Sequence, residues 1–193
     1  MNYYPHCIVT LIDMIGIRSL LNQGDSAAVA TMRQMHSKIP KSAGAFSSDT
    51  EICFWNDSVL IHSLVEESDS SFVSAMRPIA ALKFAIDDVC PSYAICVKGK
   101  SFPQQTIPAN PGHVCRLLRL SASSLAFTNC FDVEAKVKKA NYKKAWYIDN
   151  RIIKRIRGKL SRPADLKRTF SLYPRGARRV FHMFDDSFIR QDD

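Results

Sequence analysis

Runs of apolar residues separated by turn-forming residues divide the chain into strand-length and helix-length segments. The apolar run from Cys7 to Asp13 predicts a strand that is buried on both faces. Two more strands are expected on either side of Asn56-Asp57, because such a pair between apolar runs is typical of a tight hairpin turn. The segments Tyr93 to Gly99 and Ala145 to Asp149 predict two further strands.

Apolar residues at helical spacing predict helices between these strands. A first helix opens at Gly16, and a basic amphipathic helix follows the Ala145 to Asp149 strand. The other three helices are expected over Ser26 to Lys38 (ending before Pro40), Phe72 to Val89 (ending at Pro91) and Ser121 to Ala140. The prolines between Lys100 and Pro111 predict a surface loop.

The order of these elements predicts the fold class. The sequence reads β-α-α-β-β-α-β, then a helix and a strand, and it closes with a hairpin around Pro174-Arg175-Gly176. This order favours an α+β fold of the ferredoxin-like type, with a mixed or antiparallel sheet and helices mainly on one face. We predict a main domain over residues 1–157 and a basic C-terminal extension over 158–193, whose hairpin packs on the same domain.

Composition indicates a cytoplasmic protein with no membrane segment. No run approaches the roughly 18 to 20 apolar residues of a membrane helix, and the N-terminus lacks the features of a secretory signal. The six cysteines are scattered singly, which is typical of buried thiols in a reducing compartment. The dispersed cysteines and histidines also argue against a zinc site.

Positive charge is concentrated in the last third of the chain. Between Lys136 and Arg179 there are sixteen Lys or Arg residues and two acids, whereas the whole chain carries a net charge of +9. The rest of the chain is therefore acidic overall. Such a segment attracts nucleotides, nucleic acid or an acidic partner, or it forms a solvated surface that aids solubility.

Asp13 and Asp57 are the candidate functional residues, because each interrupts an apolar stretch. A carboxylate in such surroundings must find a partner or shift its pKa. Two carboxylates at the ends of neighbouring strands would offer oxygen ligands to Mg²⁺ or Mn²⁺. Taken singly, an Asp after a strand can be a helix cap, and Asn-Asp is ordinary turn chemistry.

The residues around these acids resemble motifs of the class III nucleotidyl cyclases. Ile12 to Ile17 resembles the strand that carries the first metal-binding Asp, and Trp55 to Ile61 resembles the hairpin that carries the second. Ile95 to Gly99 and Leu125 to Lys136 resemble the later strand and helix. The resemblance covers about residues 6–150, and its motifs are short.

The resemblance implies a two-metal reaction in which a nucleoside triphosphate is converted to a 3′,5′-cyclic nucleotide and pyrophosphate. It implies that Asp13, Asp57 and the Met14 backbone carbonyl hold two Mg²⁺ or Mn²⁺ ions. It also implies that Gly16 and Ile17, with Arg18, bind phosphate. A homodimer with sites at the interface is implied as well.

Two departures from the family pattern change the expected chemistry. The family's helix offers an Asn and, four residues later, an Arg that stabilises the transition state, but Asp132 or Val133 stands at that position here. The candidates for the missing charge are Lys136, Lys138, Arg116, Arg119 and Arg18. The resemblance also assigns Cys53 to the base pocket, because it lies four residues before Asp57, where purine cyclases usually carry Lys or Glu.

The compact format and the atypical helix most resemble the Pycsar pyrimidine cyclases, stand-alone bacterial enzymes that make cyclic UMP or cyclic CMP in anti-phage defence. The resemblance therefore implies UTP or CTP as the substrate. One alternative is a catalytically degenerate cyclase-like domain that binds nucleotide or nucleic acid through the basic segment. Another is an α+β phosphohydrolase that uses the same two acids.

Overall fold

A computed structural model describes residues 6–100, 125–139, 144–160, 168–172 and 179–184. Within these ranges the chain forms strands and helices in the order that the apolar pattern predicts. The elements are β1 (His6–Met14), α1 (Ile17–Gln23), α2 (Asp25–Ala43), β2 (Thr50–Trp55), β3 (Ser58–Val65), α3 (Asp69–Asp87), β4 (Ser92–Gly99), α4 (Leu125–Lys139), β5 (Ala145–Asp149), α5 (Asn150–Ile156), β6 (Arg168–Leu172) and β7 (Arg179–Phe184).

The described strands form one mixed sheet in the order β2-β3-β1-β4-β5-β7-β6. Strands β4 and β5 are parallel and are connected through α4, whereas the other neighbouring pairs are antiparallel. The predicted α+β class with a mixed sheet is confirmed. Strand β7 pairs with β5, so the terminal hairpin extends the same sheet, while the boundary between residues 1–157 and 158–193 stays a prediction.

The two faces of the sheet are covered unequally, because alternate residues of each strand point to opposite sides. Ile8 and Ile12 of β1 belong to the core that contains buried residues of α1, α2, α3 and α5. Val9 and Leu11 belong to the opposite core, which contains Ala126, Cys130, Val133 and Val137 of α4. Helices therefore lie mainly on one face, as predicted. Asp13 follows Leu11 by two residues, which places it on the α4 face at the end of β1.

The hairpin between β2 and β3 is fixed against the end of β1. Asn56 adopts a φ of 47°, a left-handed conformation that a two-residue turn requires and that Asn tolerates. The Met14 amide donates a hydrogen bond to the Asp57 carbonyl at 3.1 Å. This backbone contact holds the hairpin tip beside the last residues of β1.

Some predicted boundaries differ from the observed ones. Helix α2 continues through Pro40 to Ala43, so the predicted end before Pro40 is wrong. Pro40 lies in the last turn, where one lost hydrogen bond disrupts little of the helix, and the buried Ile39 anchors this turn to the core. The expected loop over Lys100 to Pro111 lies outside the described residues beyond Lys100. In the described part of the chain, every helix is too short or too polar to span a bilayer.

Candidate functional site

A cavity of about 320 Å³ opens where β1 ends, α1 begins and the β2-β3 hairpin turns. Acidic, basic and apolar residues share its wall. The described residues that line it are Asp13, Met14, Ile15, Gly16, Ile17, Arg18, Asp57, Tyr93 and Lys138. The cavity is within the size range of small-molecule sites, and it brings the two predicted acids together.

Asp13 is held by hydroxyl groups from both neighbouring strands. The strand register places it opposite Ser58 of β3 and Tyr93 of β4. Ser58 donates to Asp13 Oδ1 at 2.5 Å, and the Tyr93 hydroxyl donates to Asp13 Oδ2 at 2.6 Å. Because both oxygens accept a hydrogen bond, the orientation of the carboxylate is fixed before any ligand arrives.

Burial raises the pKa of Asp13 above its ordinary value, because only 7% of the residue is exposed. The hydrogen bonds from Ser58 and Tyr93 oppose this shift, whereas the nearby negative charge of Asp57 adds to it. The positive charge of Lys138 lowers the pKa and is the smallest of these effects. The two carboxylates are therefore close enough to repel each other, and a bound cation would relieve that repulsion.

Asp57 reaches the cavity from the tip of the hairpin. The tip is held from a second direction, because His36 Nε2 of α2 lies 2.9 Å from the Asn56 carbonyl oxygen. The His36 ring also packs on Phe54 of β2, with ring centroids 4.9 Å apart. The contacts of the neighbouring turn and strand residues thus keep Asp57 beside Asp13.

The first turn of α1 forms another part of the wall. Gly16 has a φ of 93° and lies immediately before the helix. A side chain would be strained at this φ, so glycine is the residue that suits the turn. Gly16, Ile17 and Arg18 all line the cavity, which places the predicted phosphate-binding residues beside the two acids.

Helix α4 contributes a charged pair that consists of Lys138, one of the candidates for the missing positive charge, and Glu134, for which the sequence predicted no role. Lys138 forms an ion pair with Glu134, one turn earlier on the helix. Glu134 Oε1 also lies 3.3 Å from the Tyr93 hydroxyl. Tyr93 therefore stands between the carboxylates of Asp13 and Glu134, and Lys138 stands at the outer end of this chain of contacts.

The donor atoms suit a hard divalent cation. Asp13 and Asp57 offer carboxylate oxygens, and Met14, whose backbone carbonyl is the other predicted ligand, lines the same cavity. Among the described residues, no cluster of three or more His, Cys, Asp or Glu side chains could hold a metal. A metal here would therefore rely on two carboxylates, a backbone carbonyl, and oxygens of water or substrate, which is typical of Mg²⁺ sites that bind phosphates.

The remaining predicted residues do not line this cavity in the described structure. Cys53 lies half-buried on β2, and burial raises the pKa of its thiol. Lys136 is exposed on α4 and is absent from the cavity wall. Arg116 and Arg119 fall outside the described residues. Of the five candidates for the missing positive charge, the structure brings Arg18 and Lys138 to the two acids.

Comparisons with known proteins identify the fold. No model of a known protein family matches this sequence, and no curated protein matches it. The solved structure of the adenylyl cyclase CyaB from P. aeruginosa matches with a TM-score of 0.58 and 11% identity, over 94% of both chains. The guanylyl cyclase Cya2 matches with a TM-score of 0.56 and 10% identity, over 99% of this chain and 96% of its own.

A third matching structure was solved with a bound nucleotide. The guanylate cyclase domain of RhGC from Catenaria anguillulae, solved in complex with GTP, matches with a TM-score of 0.53 and 9% identity over 98% of this chain and 100% of its own. At such low identity the likeness establishes the fold alone. The chain therefore has the fold of class III cyclase catalytic domains, and its activity must be argued from its own residues.

Proposed function

We propose that this protein is a nucleotidyl cyclase that converts a nucleoside triphosphate to a 3′,5′-cyclic nucleotide and pyrophosphate. One observation carries the proposal: Asp13 and Asp57 line a single cavity in a fold that adenylyl and guanylyl cyclases also adopt. The two acids are far apart in sequence, and the pairing of β1 with β3 brings them to one end of the sheet.

The chemistry follows from the arrangement of the wall. Asp13, Asp57 and the Met14 carbonyl would hold two Mg²⁺ or Mn²⁺ ions, which when bound lower the pKa of the 3′-hydroxyl and neutralise phosphate charge. Gly16 to Arg18 would position the triphosphate beside them. The O3′ atom then forms a bond to the α-phosphorus, the bond from that phosphorus to the β-phosphate bridging oxygen breaks, and pyrophosphate leaves. The hydroxyl proton passes to solvent.

The finer parts of the proposal concern the substrate and the biological role. We infer that the base of the substrate is a pyrimidine, so that the protein cyclises UTP or CTP. The cyclic product would act as a second messenger in bacterial anti-phage defence. Cys53 supports this inference, because a thiol at this position cannot offer a purine base a charge-assisted hydrogen bond. A homodimer with sites at its interface belongs to the same proposal.

Mass spectrometry of the reaction products tests the activity directly. The purified protein is incubated with Mg²⁺ or Mn²⁺ and an equal mixture of ATP, GTP, CTP and UTP. We expect one 3′,5′-cyclic mononucleotide and an equal amount of pyrophosphate, and we expect Asp57→Ala to lower the rate by at least about 100-fold. Asp88→Ala, which removes an exposed carboxylate outside the cavity wall, is the matched control and should keep the wild-type rate.

Two results would contradict the proposal. Release of inorganic phosphate in place of pyrophosphate would indicate a phosphohydrolase. The absence of a cyclic product from all four triphosphates with either metal, in a protein that melts cooperatively, would indicate a binding protein in place of an enzyme.

A further inference from the structure

The wall of the cavity includes basic side chains from the same chain as Asp13 and Asp57. Among the described residues that line it, Arg18 and Lys138 are the cationic ones. Lys138 lies in the last turn of α4, and 46% of its side chain is exposed, so its ammonium group can move. A lysine on a flexible four-carbon stem can exchange one anionic partner for another without moving the backbone.

One partner of Lys138 is Glu134, which lies one turn earlier on α4. Ion pairs between residues one turn apart on a helix contribute little to stability where water reaches them, and nearly half of the Lys138 side chain is exposed. Glu134 itself is mostly buried, with 14% of its side chain exposed, and it stays where the helix places it. A triphosphate carries several negative charges, so it would compete effectively with one carboxylate for this ammonium group.

Tyr93 connects this pair to the acid at the centre of the cavity. Its hydroxyl lies 2.6 Å from Asp13 Oδ2 and 3.3 Å from Glu134 Oε1, and a hydroxyl has one proton to donate. The shorter distance assigns that proton to Asp13. Among the described residues, Lys138 is the cation paired with Glu134.

From these contacts we propose that Lys138 supplies positive charge to the triphosphate within its own chain, and that its ammonium group leaves Glu134 when the anion binds. The identity of the anion rests on the proposed function. Lys138 would then contribute the charge that Asp132 and Val133 cannot provide. Glu134 is the carboxylate that competes with the triphosphate for the Lys138 ammonium group.

Titration calorimetry with inorganic tripolyphosphate and Mn²⁺ tests the inference without requiring catalysis. We expect Lys138→Gln to weaken binding by roughly 10- to 100-fold, as the loss of a charge-assisted hydrogen bond predicts. Lys138→Arg should stay within about threefold of the wild type, because the charge is retained. Glu134→Gln should tighten binding by about two- to fivefold, because Lys138 loses its competing partner.

Lys139→Gln is the matched control, since it removes the same charge one residue further along α4 and outside the cavity wall. Lys139→Gln should change the affinity for tripolyphosphate by less than about twofold, as expected for an exposed charge that does not line the cavity. Equal weakening by Lys138→Gln and Lys139→Gln would overturn the inference, because it would indicate general attraction to a basic helix. Weaker binding by Glu134→Gln, or no tripolyphosphate binding by the wild type, would also overturn it.

The product assay separates this inference from the proposed function. Tripolyphosphate binding that requires Lys138, without a cyclic product from any triphosphate, would support the inference and contradict the proposed reaction. A cyclic product that Lys138→Gln forms at the wild-type rate would support the reaction and contradict the inference.

Discussion

Asp13 is a candidate metal ligand, which requires an ionised carboxylate, but its surroundings disfavour ionisation. Burial and the neighbouring Asp57 disfavour its ionised form, and the net effect is a raised pKa in the folded protein. A raised carboxyl pKa means that the folded state binds the proton more tightly than the unfolded state does. The associated stability is fully present below the unfolded pKa of about 3.9 and is lost as the pH rises through the folded pKa.

Asp13→Asn should therefore stabilise the metal-free protein at neutral pH, because the amide cannot ionise and can still hydrogen-bond Ser58 and Tyr93. We expect a melting temperature a few degrees above that of the wild type at pH 7.5, since roughly 2–4 °C corresponds to 1 kcal/mol for a chain of this size. The difference should shrink as the pH falls towards 4. Thermal melting with a chelator present measures both effects.

Asp132→Asn provides a control for this prediction, because it neutralises an exposed carboxylate on α4. It should not reproduce the gain in stability at neutral pH. A lower melting temperature for Asp13→Asn at pH 7.5, with no dependence on pH, would mean that the ionised carboxylate stabilises the fold and that the argument from burial is incorrect.

The sequence identified the acids of the cavity but not the residues that hold them. Asp13 and Asp57 stand out because they interrupt apolar segments. Ser58 and Tyr93 look like ordinary strand residues, and their role depends on which positions of β3 and β4 face Asp13 across the sheet. That register is a tertiary property, so it could be found only after the strand order was known.

At the level of elements, the contact between Gly99 of β4 and Ala126 of α4 determines how closely the first turn of α4 packs on the sheet. Gly99 ends β4, and a Cβ atom at this position would overlap the Cβ of Ala126 and lie 3.2 Å from the Ala126 backbone nitrogen. The helix can pack at this distance because the glycine has no side chain.

Gly99→Ala should push α4 away from the sheet and lower the free energy of unfolding by about 1–3 kcal/mol, the usual cost of inserting a methyl group into a packed contact. Gly44→Ala is the matched control, because a Cβ there meets no atom within 4 Å and the φ of −65° suits any residue. Urea denaturation of both variants measures the difference. Equal stability of the two variants would show that α4 can shift without cost.

The elements themselves were largely predictable, whereas one buried charge was not. The apolar face predicted for α3 also contains Lys83, which is fully buried. Lys83 lies 2.6 Å from Asp87, whose other oxygen accepts hydrogen bonds from the Ser92 amide and hydroxyl. The Lys83 ammonium also lies 5.4 Å from the centre of the Trp146 ring. Helical spacing places Lys83 and Asp87 one turn apart on α3, but it cannot reveal that the pair is buried, because Ser92 and Trp146, which contact it, come from β4 and β5.

At the scale of the whole molecule, the two ends of the sheet have different charge arrangements. The end opposite Asp13 carries an ion-pair network that joins β4, α3 and α5. Glu67 pairs with Lys98 at 2.6 Å and with Arg155 at 2.6 Å, and Asp69 pairs with Arg155 at 3.1 Å and with Lys159 at 2.8 Å. Arg155 and Lys159 belong to the basic segment, so acids of the same chain compensate part of its charge. This compensation weakens the alternative of a nucleic-acid-binding surface.

Asp13, Asp57 and Lys138 line one cavity within a single chain, and this arrangement predicts the behaviour of mixed variants. Asp57→Ala and Lys138→Gln chains can be unfolded together, refolded and assayed for cyclic product. If the three residues act within one chain, every site in the mixture lacks one of them. The mixture should then show no more activity than the average of the two separate variants.

Action of Lys138 on the acids of the partner subunit would give the opposite result. Random pairing makes about half of the dimers mixed, and each mixed dimer would contain one complete site of two, so about a quarter of the wild-type activity would return. A wild-type and Asp57→Ala mixture, refolded in the same way, calibrates the yield. Because α4 packs on the sheet of its own chain and carries Lys138 to the Asp13 end of that sheet, we expect no such recovery.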